Sequence, residues 1–244
     1  MTLGEMTMPE FKKTLKKTKT IVIPFGSVEA HGAHLPLNTD TLIMREVAKK
    51  AALSAGVFMA PPIQYGVCTS TGDHPGTITI RTDTVRMLAS DIVRDCHRKG
   101  LRNFILISGH GGGLHMSAMK EAGEALTREL DSVKIAVCCI YELISKESSG
   151  IVETLNDSHA GEGETSLVMY LAPGLVKGSS KEEYPKFVKP IIARDKLKSW
   201  PGAVWGDPSK ATVEKGKRLF DLMVKKTVSL VRLLEKRGLP SSGK

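Results

Sequence analysis

Two short apolar runs that break off into histidine-bearing loops limit what this chain can fold into. Ile21-Val22-Ile23-Pro24-Phe25 leads into Gly26-Ser27-Val28-Glu29-Ala30-His31-Gly32-Ala33-His34-Leu35-Pro36-Leu37-Asn38-Thr39-Asp40. Phe104-Ile105-Leu106-Ile107 leads into Ser108-Gly109-His110-Gly111-Gly112-Gly113. Continuous apolar runs of this length read as buried strands. A helical pattern follows each. Leu42, Ile43, Val47, Ala48 and Ala51 recur at helical spacing until Gly56, and a second helix runs from about Leu114 to Leu130. Strand, helix, strand in this rhythm implies right-handed crossovers and a parallel sheet. The expected fold class is α/β, a single three-layer domain with a mostly parallel central sheet flanked by helices. Ligands of such sheets bind beyond the carboxyl ends of the strands, where both histidine-bearing loops begin.

The other elements follow the same logic. Helices are expected over Pro9–Lys17, Thr84–Lys99, Gly161–Leu171 and Thr212–Lys236, and strands over Val57–Ala60 and Lys134–Tyr141. Residues 63–82 are turn-rich and end in a short strand at Ile78 and Ile80; an ordered loop of that length is usually functional. Residues 142–160 read as polar and irregular, and 175–210 as mostly loop. One domain over 1–237 and a flexible tail over 238–244 complete the plan.

Composition excludes several classes. The 244 residues are 41% hydrophobic and 25% charged, as in an ordinary globular chain. No apolar run approaches the roughly 18 residues of a membrane span, and the first ten residues lack a signal-type hydrophobic region. A cytoplasmic protein without a membrane partner is expected. The net charge of +9 sits mainly on Lys12, Lys13, Lys16, Lys17 and Lys19 and on 210–237, on presumed helix faces. Aromatics make up only 5%, leaving few platforms for stacking bases, so no nucleic-acid partner is expected. The basic field could still draw an anionic substrate. Cys68, Cys96, Cys138 and Cys139 form no C-x-x-C pair. Cys138 and Cys139 suit small buried side chains better than a zinc site, and no disulfide framework is expected.

Three constellations carry chemistry. Glu29, His31 and Asp40 offer the mixed oxygen and nitrogen donors that a divalent cation takes; the competing reading makes Asp40 the N-cap of a helix over 41–55. His110 stands at the end of a second strand, on the same sheet edge. The glycines after it allow close backbone approach to a ligand and open a helix whose amides favour an anion. The chain has no G-x-S-x-G elbow, so a lipase-type oxyanion hole fails, and Leu114 spoils a dinucleotide fingerprint. The third stretch, Ser158-His159-Ala160-Gly161-Glu162-Gly163-Glu164-Thr165-Ser166, either supplies site residues or merely starts a helix with favourable acids. Asp73 and His74 are site candidates or parts of a Pro-Gly turn.

Taken together, Glu29-x-His31-Gly32, His34-Leu35-Pro36, Thr39-Asp40, His74-Pro75-Gly76-Thr77, Gly109-His110-Gly111-Gly112 and His159-Ala160-Gly161-x-x-Glu164-Thr165-Ser166 resemble the creatininase (creatinine amidohydrolase) family. The resemblance covers about residues 20 to 170. It implies a dinuclear metal amidohydrolase in which Asp40 bridges two divalent ions (Zn, Mn or Fe). Glu29 and His110 would complete one site, and His31 would join the other. Creatininase itself has a glutamate where this chain has Gly112. The resemblance therefore draws the missing carboxylate from Glu164, with Glu162 as the fallback ligand. His159 and Glu162 are the catalytic candidates; His74, Gly111 and Gly112 are the substrate-binding ones.

The implied reaction is hydrolysis of a C–N bond, in a cyclic amide or formamide, by a hydroxide bridging two ions, with a histidine protonating the leaving nitrogen. The implied assembly is a homo-oligomer, a hexamer above all. Creatininase would also have tryptophans in the loop before the histidine motif; residues 142–158 have none, which argues against creatinine. Two other readings compete: a non-catalytic protein that binds an anionic metabolite on its glycine-rich strand end, and a metallophosphoesterase.

Overall fold

A computed structural model describes residues 1–188 and 190–236. Four strands, β1 (Thr20–Phe25), β2 (Phe58–Met59), β3 (Asn103–Ser108) and β4 (Lys134–Cys139), form a sheet in the order β2-β1-β3-β4. Every pairing is parallel. Phe25 pairs with Ser108 and Ser108 with Cys139, so three strands end level with one another. That register brings the loops after β1 and β3 to one edge.

The strand residues alternate between two layers, as the pleat requires. Ile21, Ile23, Phe25, Phe104 and Leu106 pack with Val85, Ala89, Val93, Met116, Met119 and Leu126. Those partners lie on α3 (Thr82–Arg98) and α4 (Gly113–Glu129). The short α1 (Met8–Leu15) joins this layer through Phe11, whose ring lies 5.1 Å from that of Phe58. Val22, Ile105 and Ile107 face the opposite layer with Ile43, Val47, Leu167, Leu219 and Val231. Helices α2 (Thr39–Ala55), α5 (Ile140–Ser148), α6 (Glu162–Leu171) and α8 (Val213–Glu235) make that layer; α7 (Lys196–Ser199) is a single turn. Pro24 is tolerated inside β1 because β2 pairs only with Ile21 and Val22. On that side the Pro24 carbonyl accepts from Ile63 N, so its missing N–H costs no ladder bond.

Several expected boundaries move. β4 ends at Cys139 and α5 follows at once, where the sequence reads as strand to Tyr141 and then as irregular. Ile140 and Ile144, one helical turn apart, are both buried in the core and hold α5 in place. Helix α2 starts at Thr39 with Asn38 as its N-cap, which leaves Asp40 inside the first turn instead of capping it. Ile78 and Thr79 make isolated bridges to Val28 and Gly66, not a strand. Residues 175–210 are largely irregular, as expected, apart from α7 and short 3-10 turns at Pro173–Leu175 and Pro208–Lys210. The expected tail, 238–244, lies outside the described residues. Among the described residues, no helix is long and apolar enough to cross a membrane.

Candidate metal centre

The level strand ends bring the donors together. Gly109, just after β3, has no side chain because a Cβ there would run into the Asp40 carbonyl and the Met44 side chain. This close approach of the β3 end to the first turn of α2 sets Asp40 beside His110. Asp40 Oδ2 lies 3.1 Å from His110 Nδ1, and Asp40 Oδ1 lies 3.2 Å from His31 Nε2. Glu29 Oε2 is 2.8 Å from the same His110 nitrogen, and Glu164 Oε2 is 3.6 Å from the same His31 nitrogen. All five residues are buried. Asp40 thus turns one oxygen to each of two histidines, with a glutamate beyond each.

The surrounding hydrogen bonds fix which nitrogen of each ring faces the carboxylates. His31 Nδ1 donates to the Glu29 carbonyl at 2.9 Å, which leaves Nε2 as the lone-pair nitrogen in neutral imidazole. His110 Nε2 donates to the Val67 carbonyl at 3.1 Å, which leaves Nδ1. This is the outer-shell arrangement that orients metal-ligating histidines. The carboxylates are held as well. Ser27 Oγ donates to Asp40 Oδ2 at 2.6 Å, Thr71 Oγ1 to Glu29 Oε1 at 2.5 Å, and Ala160 N to Glu164 Oε2 at 2.6 Å. Ala160 makes that bond from a left-handed backbone, φ 48°, a strained conformation for a residue with a side chain.

Charge decides what the cluster is suited to hold. Among the described residues, no Lys or Arg pairs with Glu29, Asp40 or Glu164; their only basic neighbours are histidines. Burial pushes the Asp40 and Glu29 carboxyls up, yet the adjacent histidines hold Asp40 well below the usual range and Glu29 at about 2. Burial likewise pulls His31 down, but Asp40, Glu164 and Glu29 carry it up to about 10. His110 is also held well above its ordinary value, by Glu29 and Asp40 against burial. Glu164 is raised, chiefly by burial. Three buried carboxylates without a fixed cation are costly. Divalent cations would offset them, and the oxygen and nitrogen donors suit zinc, manganese or iron. The donor set fits a metal.

The other candidates fall into distinct places. His159 Nε2 donates to the Ala30 carbonyl at 2.8 Å, and its ring lies 4.1 Å from that of His31. A ligand atom of His159 falls within 4.8 Å of ligand atoms of Glu29 and His31. Glu162 stands apart. Its buried carboxylate accepts from Glu153 N, Thr154 N, Thr154 Oγ1 and Lys215 Nζ at 2.6 to 3.1 Å. It ties the 153–154 segment and α8 to the start of α6, away from the other carboxylates. His74 Nε2 donates to the Trp200 carbonyl at 2.6 Å, so His74 buttresses a wall rather than facing the cavity. Gly111 and Gly112 line the cavity beside Glu29, Asp40, His110, His159 and Glu164.

Three features of this site are not evident in the sequence. Trp200 and Trp205, far along the chain from the histidine motif, wall the cavity, and the Trp200 ring lies 5.2 Å from that of His159. The absence of tryptophan from 142–158 therefore does not leave the site without an aromatic wall. Backbone pairing brings them there, since Trp205 N donates to the His159 carbonyl at 2.7 Å. Tyr141, read as the end of a strand, places a buried hydroxyl beside Glu164 and near Asp40, short of a well-formed hydrogen bond. Cys68 falls into one ligand cluster with Glu29 and His110. No spacing signal marks these residues, because they reach the site only through the turns of 63–82 and 200–206 and the start of α5.

The cavity beside the centre measures about 1190 Å³. A family model described as creatinine amidohydrolase matches residues 4–231. The chain is 30% identical to the mycofactocin precursor peptide peptidase of Mycobacterium ulcerans (strain Agy99), over 94% of this chain and 91% of that protein. It is 24% identical to the creatinine amidohydrolase of Pseudomonas putida, over 94% and 95% of the two chains. The structure of a mutant creatininase of Zn-Zn type superposes with a TM-score of 0.85 at 23% identity, covering 96% of this chain and 98% of that one, which shows the shared fold. The chain belongs to the creatininase family of hydrolases.

Proposed function

We propose that this protein hydrolyses an amide C–N bond at a centre of two divalent ions held by Glu29, Asp40 and His110 on one side and His31, Asp40 and Glu164 on the other. The observation that carries this reading is the division of Asp40, one oxygen toward His31 and the other toward His110. When bound, the ions would supply an activated water at neutral pH and polarise the carbonyl under attack. The protein supplies the rest. His159, whose Nε2–H is committed to the Ala30 carbonyl, leaves the Nδ1 lone pair to take a proton from the attacking water and pass it to the leaving amine. Tyr141, whose hydroxyl sits beside Glu164 without a well-formed hydrogen bond, is placed to donate to the carbonyl oxygen. Trp200, pinned by His74 and by its own indole N–H to the Val204 carbonyl at 2.6 Å, shields this chemistry from water.

The cavity, at about 1190 Å³ above the roughly 300–1,000 Å³ of a usual small-ligand pocket, has room for a substrate larger than a single small ring. The relative named for a precursor peptide keeps peptide amides in range beside cyclic amides and formamides. The test is metal content per chain, by mass spectrometry on protein purified without chelators, followed by a panel of cyclic amides, formamides and short peptides. About two ions per chain, falling sharply in Asp40→Ala, are expected with this two-ion site. No metal after reconstitution, or full activity of metal-free Asp40→Ala, would sink the reading.

A further inference from the structure

We propose that Cys68 supplies a thiolate ligand to the Glu29–His110 half of the centre and biases that half toward zinc. The inference rests on the metal-centre reading above and adds a ligand of a different chemical kind. Sγ of Cys68, a ring nitrogen of His110 and a carboxylate oxygen of Glu29 all lie within 4.8 Å of one another. All three residues are buried, Cys68 at 1% exposure. Among the described residues, Cys68 is the one cysteine of the four that falls in such a cluster.

The backbone around Cys68 is tied to the site. The carbonyl of Val67, its neighbour, fixes His110 through Nε2, and Cys68 N donates to Thr79 Oγ1 at 2.9 Å. Thr69 and Ser70, next along the chain, line the cavity, whereas Cys68 does not. Cys68 is therefore buried behind the cavity wall that Thr69 and Ser70 form.

The chemistry of the two halves then differs. His31, Asp40 and Glu164 offer only nitrogen and oxygen, a set that manganese and zinc both accept. Sulfur beside nitrogen and oxygen is a zinc-type set. On binding, the thiol proton leaves to solvent and the sulfur lone pair forms the new bond to the ion, with no change of oxidation state.

Cobalt(II) tests both readings at once. Titrating it into the metal-free full-length protein produces visible d–d absorption if the centre binds at all, and a near-ultraviolet thiolate-to-cobalt charge-transfer band if sulfur is a ligand. Both are expected in the wild type. Cys68→Ser should keep the d–d absorption and lose the charge-transfer band, while Cys139→Ser should keep both. The preference for zinc over manganese, read by competition and mass spectrometry, should fall in Cys68→Ser alone. Wild-type d–d absorption without the charge-transfer band would overturn the proposal and leave the centre standing. So would a band that survives in Cys68→Ser or vanishes in Cys139→Ser. No cobalt absorption of either kind would overturn the centre, and the thiolate ligand with it.

Discussion

A Cβ at Gly112 would press into Nε2 of His110 and stand 3.0 Å from the Val67 carbonyl that accepts this nitrogen's proton. The ring cannot swing clear, because its other nitrogen is set between Glu29 and Asp40. In this chain glycine leaves room for the His110 ring, which is a different reason from close approach to substrate. In the proposed centre the carboxylate of the second half comes instead from Glu164, 3.6 Å from His31 Nε2. Gly112→Ala should weaken metal binding by roughly 10–100-fold, the usual cost of disturbing an outer-shell contact. Gly113, where a Cβ meets nothing, is the control. Equal zinc affinities of the two alanine variants, by chelator competition, would refute this account.

The two glutamates of the third motif should separate cleanly. Glu162→Ala strands the amides of Glu153 and Thr154 and removes a buried partner of Lys215. Loss of such a network costs about 3 kcal/mol, so the melting temperature should fall while the folded fraction keeps its metal. Glu164→Ala removes the carboxylate beside His31 and should cut metal content with a much smaller loss of stability in the metal-free protein. Differential scanning calorimetry and metal analysis on both variants would expose an exchange of these roles.

Much of this arrangement is legible in the sequence because parallel sheets concentrate it. Apolar runs of full burial locate β1 and β3, and the residues after each must emerge on the same edge, so Glu29, His31, Asp40 and His110 can be grouped before any coordinates exist. Glu162 and Glu164 cannot be told apart that way. Both occupy the first turn of α6, and only the rotation of the helix decides that one meets Lys215 and the other His31. Helix α5 is missed because Ile140 and Tyr141 extend an apolar strand pattern, so the helical pair Ile140 and Ile144 is broken across the expected boundary. Trp200 and Trp205 are missed for a third reason: irregular segments carry no periodicity, and their return to the site depends on single pairings such as Trp205 with His159.

Metal loading should release protons. In the metal-free chain the carboxylates overcome burial and raise His31 to about 10, with His110 also well above its ordinary value. Both rings are therefore protonated near neutrality, whereas a ligating imidazole must be neutral. The stability that these raised values give the metal-free fold is complete below the unfolded value of about 6.5 and is lost as pH rises through about 10. Metal binding follows the opposite sense and tightens over that interval. The gap in melting temperature between loaded and metal-free protein should widen with pH across it. Calorimetric titrations of zinc in two buffers of different ionisation enthalpy should show net proton release at pH 7. Buffer-independent heats would contradict the protonated cluster.

Tyr141 gives the sharpest separation of catalysis from metal binding. Burial, then the nearby charges of Glu164 and Asp40, hold its phenol well above the ordinary value, so the hydroxyl keeps its proton as a donor. Its polar neighbour is Glu164, with which it makes no well-formed hydrogen bond. If it meets the oxygen on which charge develops, Tyr141→Phe removes one such donor, at a cost of about 100-fold in kcat. KM for the amide found in the panel and the metal content should stay near wild type, since neither depends on a hydrogen bond that strengthens only as the reaction proceeds. If the hydroxyl instead serves only to orient Glu164, the same variant should lose metal affinity first and recover its rate in excess zinc. Measuring kcat at saturating metal, beside a metal titration of the same sample, decides between the two roles.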